Sequence, residues 1–484
     1  MSIHHAIDAA RAHREEIIFG ALTGLLSCPN APLNVPLPRI AGSSGPDLAT
    51  HFGETIPQDA PTLLHLLDRC ERGVEESGEF DYPTGSLLVQ LGSSFRRHGL
   101  GATHYASLSE AILASIDRHI PDADGVASLK DAVELACSLL AHGAAEATEN
   151  EIGAKARGEE INPPTARAKV VDVELRNPTM KVVRMHMDPP LRYAVGEALL
   201  ARTPYTPMVW RPVYAALPAN PDGLIEIHVS CGAGKTQHGD HLSNDFLRTV
   251  VSHAQIGDTW VLSPEPRDED GRPYGLHLDD SQFSAETNRP ILMIAESVGL
   301  APVRAAILQQ VMGGVIGATP DAAPEDVRPN GTAPTMRNVQ LFWGAHNPGE
   351  LYELEGMMGL KNAFDWLRVV PVANQLHTPE DSRPLPQYEV GSGNPEGSLS
   401  ADDPEHAGHA TLDSSVEEHP SDEVTRQIVQ GDVVDVALRQ ARKIEEKTVI
   451  IAGSPEMISR ASRELVERHN LAPQQIIELP LRFM

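Results

Sequence analysis

The stretch ILMIAESVGLAPVRAAI, residues 291–307, decides the fold of the carboxyl-terminal part of this chain. Its first five residues are all apolar, without the polar–apolar alternation of a strand that has one face in water. Such a run is typical of a strand buried on both faces of a parallel sheet. A short turn follows, and then apolar residues recur at helical spacing. The stretch therefore predicts a buried strand, a tight turn and a helix.

The same alternation continues towards the carboxyl terminus. Three further runs have the composition of buried strands and are separated by segments with helical spacing: VQLFWGA at 339–345, LRVVPVAN at 367–374 and TVIIAGS at 448–454. A strand–helix–strand order favours a parallel sheet covered by helices. We therefore predict an α/β domain over residues 287–484.

Two stretches of this domain lack the apolar residues of a packed core. Residues 319–334 are rich in Pro, Ala and Asp, and residues 377–424 are acidic with many Ser, Gly, Pro and His residues. This composition predicts disordered insertions. The histidines of the second stretch show no regular ligand spacing, so we expect no metal site.

The central residues have a different pattern. From about Ala166 the chain alternates turns with short β-rich runs, namely VVDVELRN, KVVRMHM, PVYAAL, LIEIHVS and TWVLSP. Such strands are typical of a small antiparallel barrel, which we place at residues 153–286. Residues 1–152 have apolar residues at three- and four-residue spacing and are predicted to be all-α. The fold class is therefore multidomain: an all-α domain, an antiparallel β-barrel and a parallel-sheet α/β domain.

Composition narrows the function classes. The formal net charge is −28, which repels nucleic acid phosphates and anionic membrane surfaces. The four cysteines form no CxxC pair, which argues against a zinc knuckle or a dithiol motif. No apolar run is long enough to span a bilayer. We expect a cytoplasmic protein with no nucleic acid partner and no direct membrane insertion.

The helical region contains SFRRHGLGATHYASLSEAILASI, residues 94–116, anchored by Tyr105. This segment, together with the domain order, resembles the flavohaemoglobins, in which a globin is fused to a ferredoxin-reductase-like FAD/NAD(P) module. The position of the family's haem-binding histidine falls on Phe95, which has no lone pair to give to iron. The family's early oxygen-side tyrosine is also missing, because no tyrosine precedes Tyr82. The resemblance therefore implies a degenerate, haem-free globin-like domain, with Phe95 helping to fill the pocket.

His98 is the substitute ligand that this segment offers. It follows Phe95 by three residues and so lies on roughly the same helix face. As a ligand it would displace the iron by several ångströms along the helix. The other interpretation is a surface histidine beside Arg96 and Arg97.

In the barrel, PVYAAL resembles the family's Arg-x-Tyr-Ser strand. There the arginine binds the flavin diphosphate and the tyrosine lies against the isoalloxazine. Tyr214 matches that tyrosine, whereas Ala215 replaces the serine and Arg211 stands one residue too far upstream. Because side chains alternate along a strand, this slip points the arginine away unless a bulge at Pro212 restores it.

HLSNDFL resembles the family's Ser-Asn helix start, whose backbone amides face the flavin diphosphate. It makes Ser243 and Asn244 candidate cofactor-binding residues, with Ser243 as an N-cap and anion site. A plain helix cap is the other interpretation.

In the α/β domain, residues 291–307 resemble the family's strand, glycine-rich turn and helix for NAD(P). Gly299 and Pro302 are retained as candidate cofactor-binding residues, while Ser297 replaces the first glycine. Glu296 takes the place of a small residue, and its carboxylate would repel a diphosphate.

VIIAGSPEMI resembles the family's terminal Cys-Gly-Pro-Pro segment. Gly453 and Pro455 are retained, but Ala452 replaces the cysteine that the family places near hydride transfer. This loss weakens the catalytic interpretation, and we assign no catalytic residue.

Three functions follow from the resemblance. The first is a protein without haem or nitric oxide dioxygenase activity, repurposed for binding, scaffolding or regulation, with a protein partner and with a homodimer as one arrangement. The second is a residual FAD-dependent NAD(P)H oxidoreductase that passes electrons to oxygen, a quinone or a separate protein. The third is a nitric oxide dioxygenase with an unorthodox haem ligand. FAD is compatible with the first two functions, the altered turns disfavour NAD(P)H, and haem is not expected.

Overall fold

A computed structural model describes residues 3–13, 16–17, 20–21, 72–75, 77–158, 161–206, 210–231, 241–264, 289–313, 336–376 and 427–480 of the chain. The predicted fold class is confirmed: helices come first, then an antiparallel sheet that nearly closes on itself, then a parallel sheet with helices. The two stretches predicted as disordered insertions lie outside the described residues. Within the described residues, no helix combines the length and the apolar character needed to cross a membrane.

The described helices of the amino-terminal region are α1 (Ile3–Ala12), α2 (Tyr82–Ser94), α3 (Ala102–His119) and α4 (Val126–Arg157). The α2 helix begins at a clear cap, because the Asp81 carboxylate accepts the Thr84 N–H at 2.9 Å. The α4 helix continues past the domain boundary predicted at residue 152 and ends at Arg157.

The α2 and α4 helices cross backbone to backbone. A Cβ atom on Gly92 would lie 1.9 Å from the Leu140 carbonyl oxygen, and one on Gly143 would lie 1.8 Å from the Val89 carbonyl oxygen. Real Cβ atoms do not approach other atoms so closely, so only glycine permits this crossing. The contact fixes how the helical core is assembled.

The barrel contains β1 (Ala166–Asn177), β2 (Met180–Asp188), β3 (Ala198–Arg202), β4 (Arg211–Tyr214), β5 (Leu224–Ser230), α5 (His241–His253) and β6 (Thr259–Pro264). Its strands are antiparallel in the order β4-β3-β6-β1-β2-β5. A bridge between Ala215 and Ile227 brings the end of β4 to β5. The interior side chains form one buried core that includes Trp260 and Phe246.

The α/β unit contains β7 (Ile291–Glu296), α6 (Leu300–Val311), β8 (Val339–Ala345), α7 (Leu354–Ala363), β9 (Leu367–Ala373), β10 (Val429–Gln430), α8 (Val433–Gln440), β11 (Thr448–Gly453), α9 (Pro455–His469) and β12 (Ile476–Pro480). The parallel strands stand in the order β10-β9-β8-β7-β11-β12. Successive residues of β7 pack into the cores on opposite faces of the sheet. The apolar run that opens residues 291–307 is therefore a strand buried on both faces, as predicted.

Candidate functional site

The strand order of the parallel sheet locates its crevice. From β7 the chain moves to β8 and β9 on one side, whereas β11 and β12 lie on the other side. The boundary between β7 and β11 is therefore the topological switch point, where α/β sheets form ligand crevices at the carboxyl ends of their strands. Glu296 ends β7 and Gly453 ends β11, so the residues that the sequence singled out meet at this point.

The turn after β7 keeps a glycine-like conformation without glycine. Ser297 has a φ of 51°, in the left-handed region. The Trp343 indole Nε1 donates a hydrogen bond to the Ser297 carbonyl at 3.0 Å and holds the turn in place. A side chain in this region costs about 1 kcal/mol relative to glycine. The backbone of the predicted turn has thus been retained although its first glycine has not.

The two retained glycines bring neighbouring turns together. A Cβ atom on Gly299 would lie 2.3 Å from the Ala452 carbonyl oxygen, and one on Gly453 would lie 3.0 Å from the Glu296 Cβ. Gly299 therefore needs glycine, because a backbone atom lies where a Cβ would be. At Gly453 the fit is tight, but the nearest atom is the flexible methyl end of Met457. The assignment of both glycines to NAD(P) binding stays a prediction, as does that of Pro302 in the first turn of α6 and of Pro455 at the start of α9.

A carboxylate occupies the centre of the switch point. Glu296 Oε2 accepts the Ser454 hydroxyl at 2.8 Å and the Ser454 N–H at 3.3 Å. Ser454 is also the N-cap of α9, since its hydroxyl accepts the Met457 N–H. The Glu296 charge therefore lies at the positive end of a helix, where an anionic ligand would otherwise be attracted. A negative charge at this position opposes an anionic ligand at the same helix start.

Strand β4 carries two of the four barrel residues assigned to FAD, Arg211 and Tyr214, on opposite faces. The Arg211 side chain is 3% exposed and lies on the same face of the strand as Val213. Tyr214 is half-buried and lies on the opposite face. The pairing of β4 with β3 runs without a register shift, so the bulge considered at Pro212 does not occur. Arg211 and Tyr214 are therefore not brought together.

Tyr214 faces the α/β unit. It packs against a small cluster of Met180, Val298 and Tyr352, with Met180 from the barrel and the other two from the α/β unit. The tyrosine predicted to lie against a flavin thus lies at the contact between the two units.

Ser243 and Asn244 are the third and fourth residues of α5. Ser243 therefore lies inside the helix as described and not at the N-cap position that the sequence predicts. The side chains of both residues, and the preceding residues 232–240, lie outside the described residues. Their assignment to FAD stays a prediction.

Phe95 opens a short 3-10 turn and packs against the core of the helical region. In that core the Tyr105 hydroxyl is buried and meets no hydrogen-bond partner among the described residues, and burial raises its pKa. His98 is half-buried, and its ring makes an edge contact with Trp210 of the barrel at 5.9 Å between centroids. His98 lies beside Arg97, as one interpretation has it, but its ring also contacts the barrel. The Phe95 side chain has no atom that could bind iron, and the absence of haem stays a prediction.

Strand β5 carries two buried polar residues that the sequence did not single out, Glu226 and His228. In LIEIHVS the polar positions Glu226 and His228 alternate with apolar ones and suggest a solvent-facing side, yet both are buried. Burial alone would raise the pKa of Glu226, but the hydrogen bond from His228 and the positive charge of Arg304 lower it to about 2. Arg304 belongs to the α/β unit, which covers this face of the barrel.

Comparisons with known proteins give a distant curated relative and several similar solved structures. No protein-family model matches it. A curated relative, the NAD(P)H-flavin reductase of Vibrio harveyi, is 23% identical over 217 residues, 44% of this chain and 73% of the relative. Among solved structures, a Malassezia yamatoensis flavohemoglobin with bound FAD and heme has a TM-score of 0.44 and 13% identity, covering 86% of this chain and 84% of its own. The flavohem-like FAD/NAD-binding domain of nitric oxide dioxygenase from Vibrio cholerae has a TM-score of 0.40 and 12% identity, covering 65% of this chain and 97% of its own.

Proposed function

We propose that this chain is a flavohaemoglobin-like protein that has lost haem and nitric oxide dioxygenase activity and acts as a binding, scaffold or regulatory protein. The observation that carries the proposal is the Glu296 carboxylate at the switch point, bonded to Ser454 at the start of α9. A fixed negative charge there opposes the diphosphate of NAD(P)H, the electron donor that a reductase of this fold requires. Without a donor, the module has no route for electrons.

Two further observations support the loss of electron transfer. Phe95 stands at the position predicted for the haem ligand and packs into the helical core. Arg211 points into the barrel, away from the face of Tyr214. The retained features are those that hold the fold, such as Gly299 and Gly453. Function is decided by the site and not by the fold, so we infer a non-catalytic role in which a protein partner or a second copy binds.

The test measures NADH and NADPH binding and oxidation with ferricyanide and with a quinone as acceptors. We expect no saturable oxidation by the wild-type protein and measurable nucleotide binding by Glu296→Gln, which loses the charge and keeps a hydrogen-bond acceptor. Glu355→Gln, at an exposed carboxylate of α7, is the matched control and should behave as wild type. Saturable oxidation by the wild-type protein would overturn the proposal.

A residual FAD-dependent NAD(P)H oxidoreductase is the second candidate. It is favoured by the Vibrio harveyi relative and by the left-handed turn that Ser297 maintains. The absorption spectrum of the purified protein and acid release of any cofactor separate the candidates. A flavin envelope together with NAD(P)H turnover supports the oxidoreductase, whereas protein that stays colourless after addition of FAD and haem supports the non-catalytic role.

A further inference from the structure

The barrel and the α/β unit meet at a buried carboxylate, that of Glu226 on β5. Its side chain is 3% exposed. Arg184 of β2 donates from Nε to one oxygen at 2.6 Å, and Arg304 of α6 donates from Nη1 to the other at 2.7 Å. Since Arg184 belongs to the barrel and Arg304 to the α/β unit, the Glu226 charge is compensated from both units.

A second ion pair crosses the same contact. Arg176 of β1 donates from Nη2 to Glu353 Oε1 at 2.8 Å, and Arg304 Nε lies 3.9 Å from Glu353 Oε2. Arg176 is also paired with Glu174 inside the barrel. Arg304 and Glu353 thus form the α/β half of a charged assembly whose other half lies on three barrel strands.

A polar aromatic contact completes the assembly. His228 Nε2 lies 3.0 Å from Glu226 Oε1, and its Nδ1 lies 2.8 Å from the Tyr352 hydroxyl. The Tyr352 ring makes edge contacts with the rings of His228 and Trp343 at 5.2 and 5.4 Å. We define the interdomain cluster as the residues that make these cross-contacts, together with Arg184, which supports Glu226 from within the barrel: Arg176, Arg184, Glu226, His228, Arg304, Tyr352 and Glu353.

The members of this cluster depend on one another. Removing one partner of a buried ion pair leaves the other charge without compensation in a medium of low dielectric, which is strongly unfavourable. The contact also has an apolar part, in which Met180 and Val298 pack with the rings of Tyr214 and Tyr352. Val195 of the barrel adds to it, because it is buried with the core of the α/β unit. The barrel has a buried core of its own, and so does one face of the parallel sheet, while the core on the other face also takes in Val195 of the barrel. Each unit therefore keeps a core made of its own residues when the contact opens.

We propose that the interdomain cluster is a latch that holds the barrel against the α/β unit, and that its loss opens the Met180–Val298 contact without unfolding either unit. This opening exposes the Tyr214 ring, the residue that the sequence analysis placed against a flavin. The latch therefore controls whether an aromatic ligand can reach Tyr214. The latch does not depend on whether the switch point binds a nucleotide, so this proposal is independent of the proposed function.

Methionine oxidation tests the latch in the full-length protein. Met180 is 2% exposed at the contact, Met293 is fully buried inside β7, and Met312 is 69% exposed. Dilute hydrogen peroxide followed by peptide mass spectrometry gives the oxidation rate of each residue. In Glu226→Gln and Arg304→Gln, Met180 should oxidise about tenfold faster or more, because a buried pair has lost one partner. Met293 should stay protected, and Met312 should react quickly throughout.

Matched variants separate the latch from general stability. Asp172→Asn removes a partner of Arg184 that lies wholly within the barrel, so Met180 should oxidise as in wild type. Tyr352→Phe removes only the hydroxyl that meets His228 and should give a smaller increase at Met180. If Glu226→Gln fails to fold, Arg304→Gln and Tyr352→Phe still decide the matter. The proposal would be overturned if the oxidation rate of Met180 were unchanged in both Arg304→Gln and Tyr352→Phe. A parallel rise in the oxidation rates of Met180 and Met293 would also overturn it.

Discussion

Two contacts in this molecule are built in opposite ways. Helices α2 and α4 meet through glycines that let their backbones touch, Gly92 against Leu140 and Gly143 against Val89. The barrel meets the α/β unit through buried charges centred on Glu226. The first contact depends on the absence of side-chain atoms, and the second depends on the presence of complementary charges. A substitution should therefore act by steric clash at the first and by loss of charge compensation at the second.

The largest effect is expected at the charged contact. Glu226→Gln leaves Arg184 and Arg304 facing a neutral amide, and we expect a loss of about 3–5 kcal/mol in the free energy of unfolding of the coupled units. Urea denaturation of both proteins measures it. Asp172→Asn, at the more exposed partner of Arg184, should cost less than about 1 kcal/mol. Equal losses in the two variants would refute the central place of Glu226.

The same carboxylate predicts a dependence of stability on pH. The folded-state pKa of Glu226 is lowered from its ordinary value of 4.5 to about 2. Its contribution is therefore complete above pH 4.5 and is lost as the pH falls towards 2, with a total of roughly 3 kcal/mol. Urea denaturation between pH 6 and pH 3 should show much of this fall in the free energy of unfolding in wild type, and a smaller fall in Glu226→Gln. If the free energy of unfolding depended on pH identically in both proteins, the lowered pKa of Glu226 would be contradicted.

At the glycine contact we expect an intermediate effect. Gly143→Ala places a Cβ against the Val89 carbonyl, and separating the helices should cost about 1–3 kcal/mol by overpacking. In Gly153→Ala, on the same helix, the new Cβ meets only the flexible end of Arg157. That control should stabilise the helix by up to about 1 kcal/mol. Thermal unfolding followed by circular dichroism compares the two variants, and a stable Gly143→Ala would show that the helices can move apart freely.

The smallest effect concerns the turn that kept its glycine conformation. Ser297→Gly relieves a left-handed serine and should stabilise the α/β unit by about 0.5–1 kcal/mol, partly offset by the greater freedom of glycine in the unfolded chain. Ser297→Ala is the matched control, since it keeps a Cβ and should not stabilise. Differential scanning calorimetry measures the difference in thermal stability between Ser297→Gly and Ser297→Ala. A destabilised Ser297→Gly would mean that the serine side chain itself holds the turn.

Much of the fold could be predicted, because its signals are local. The five apolar residues that open residues 291–307 form a strand buried on both faces, and the glycines at 299 and 453 mark turns that approach closely. The one-residue displacement of Arg211 also correctly placed it on the face opposite Tyr214. The register of strand pairing could not be predicted from local sequence. Only the pairing with β3 shows that Pro212 forms no bulge.

Less of the candidate site than of the fold could be predicted from the sequence. The sequence placed a carboxylate at position 296 but not its partner, since Ser454 lies far along the chain and reaches Glu296 only through the parallel pairing of β7 with β11. His98 could be ranked as a ligand or a surface residue, but its contact with Trp210 requires the barrel to pack against the helical region.

The sequence by itself determined the order of the helical, antiparallel and parallel regions, because periodicity and turn residues act over a few positions. It also determined that Phe95 cannot bind iron. The tertiary structure alone decided which polar faces are covered. Glu226 and His228 belong to an alternating strand that could equally face water. They are buried because Arg304 and Tyr352, distant in sequence, bring complementary charge and hydrogen bonds to that face. Burial of charge depends on partners in space, and no local pattern encodes them.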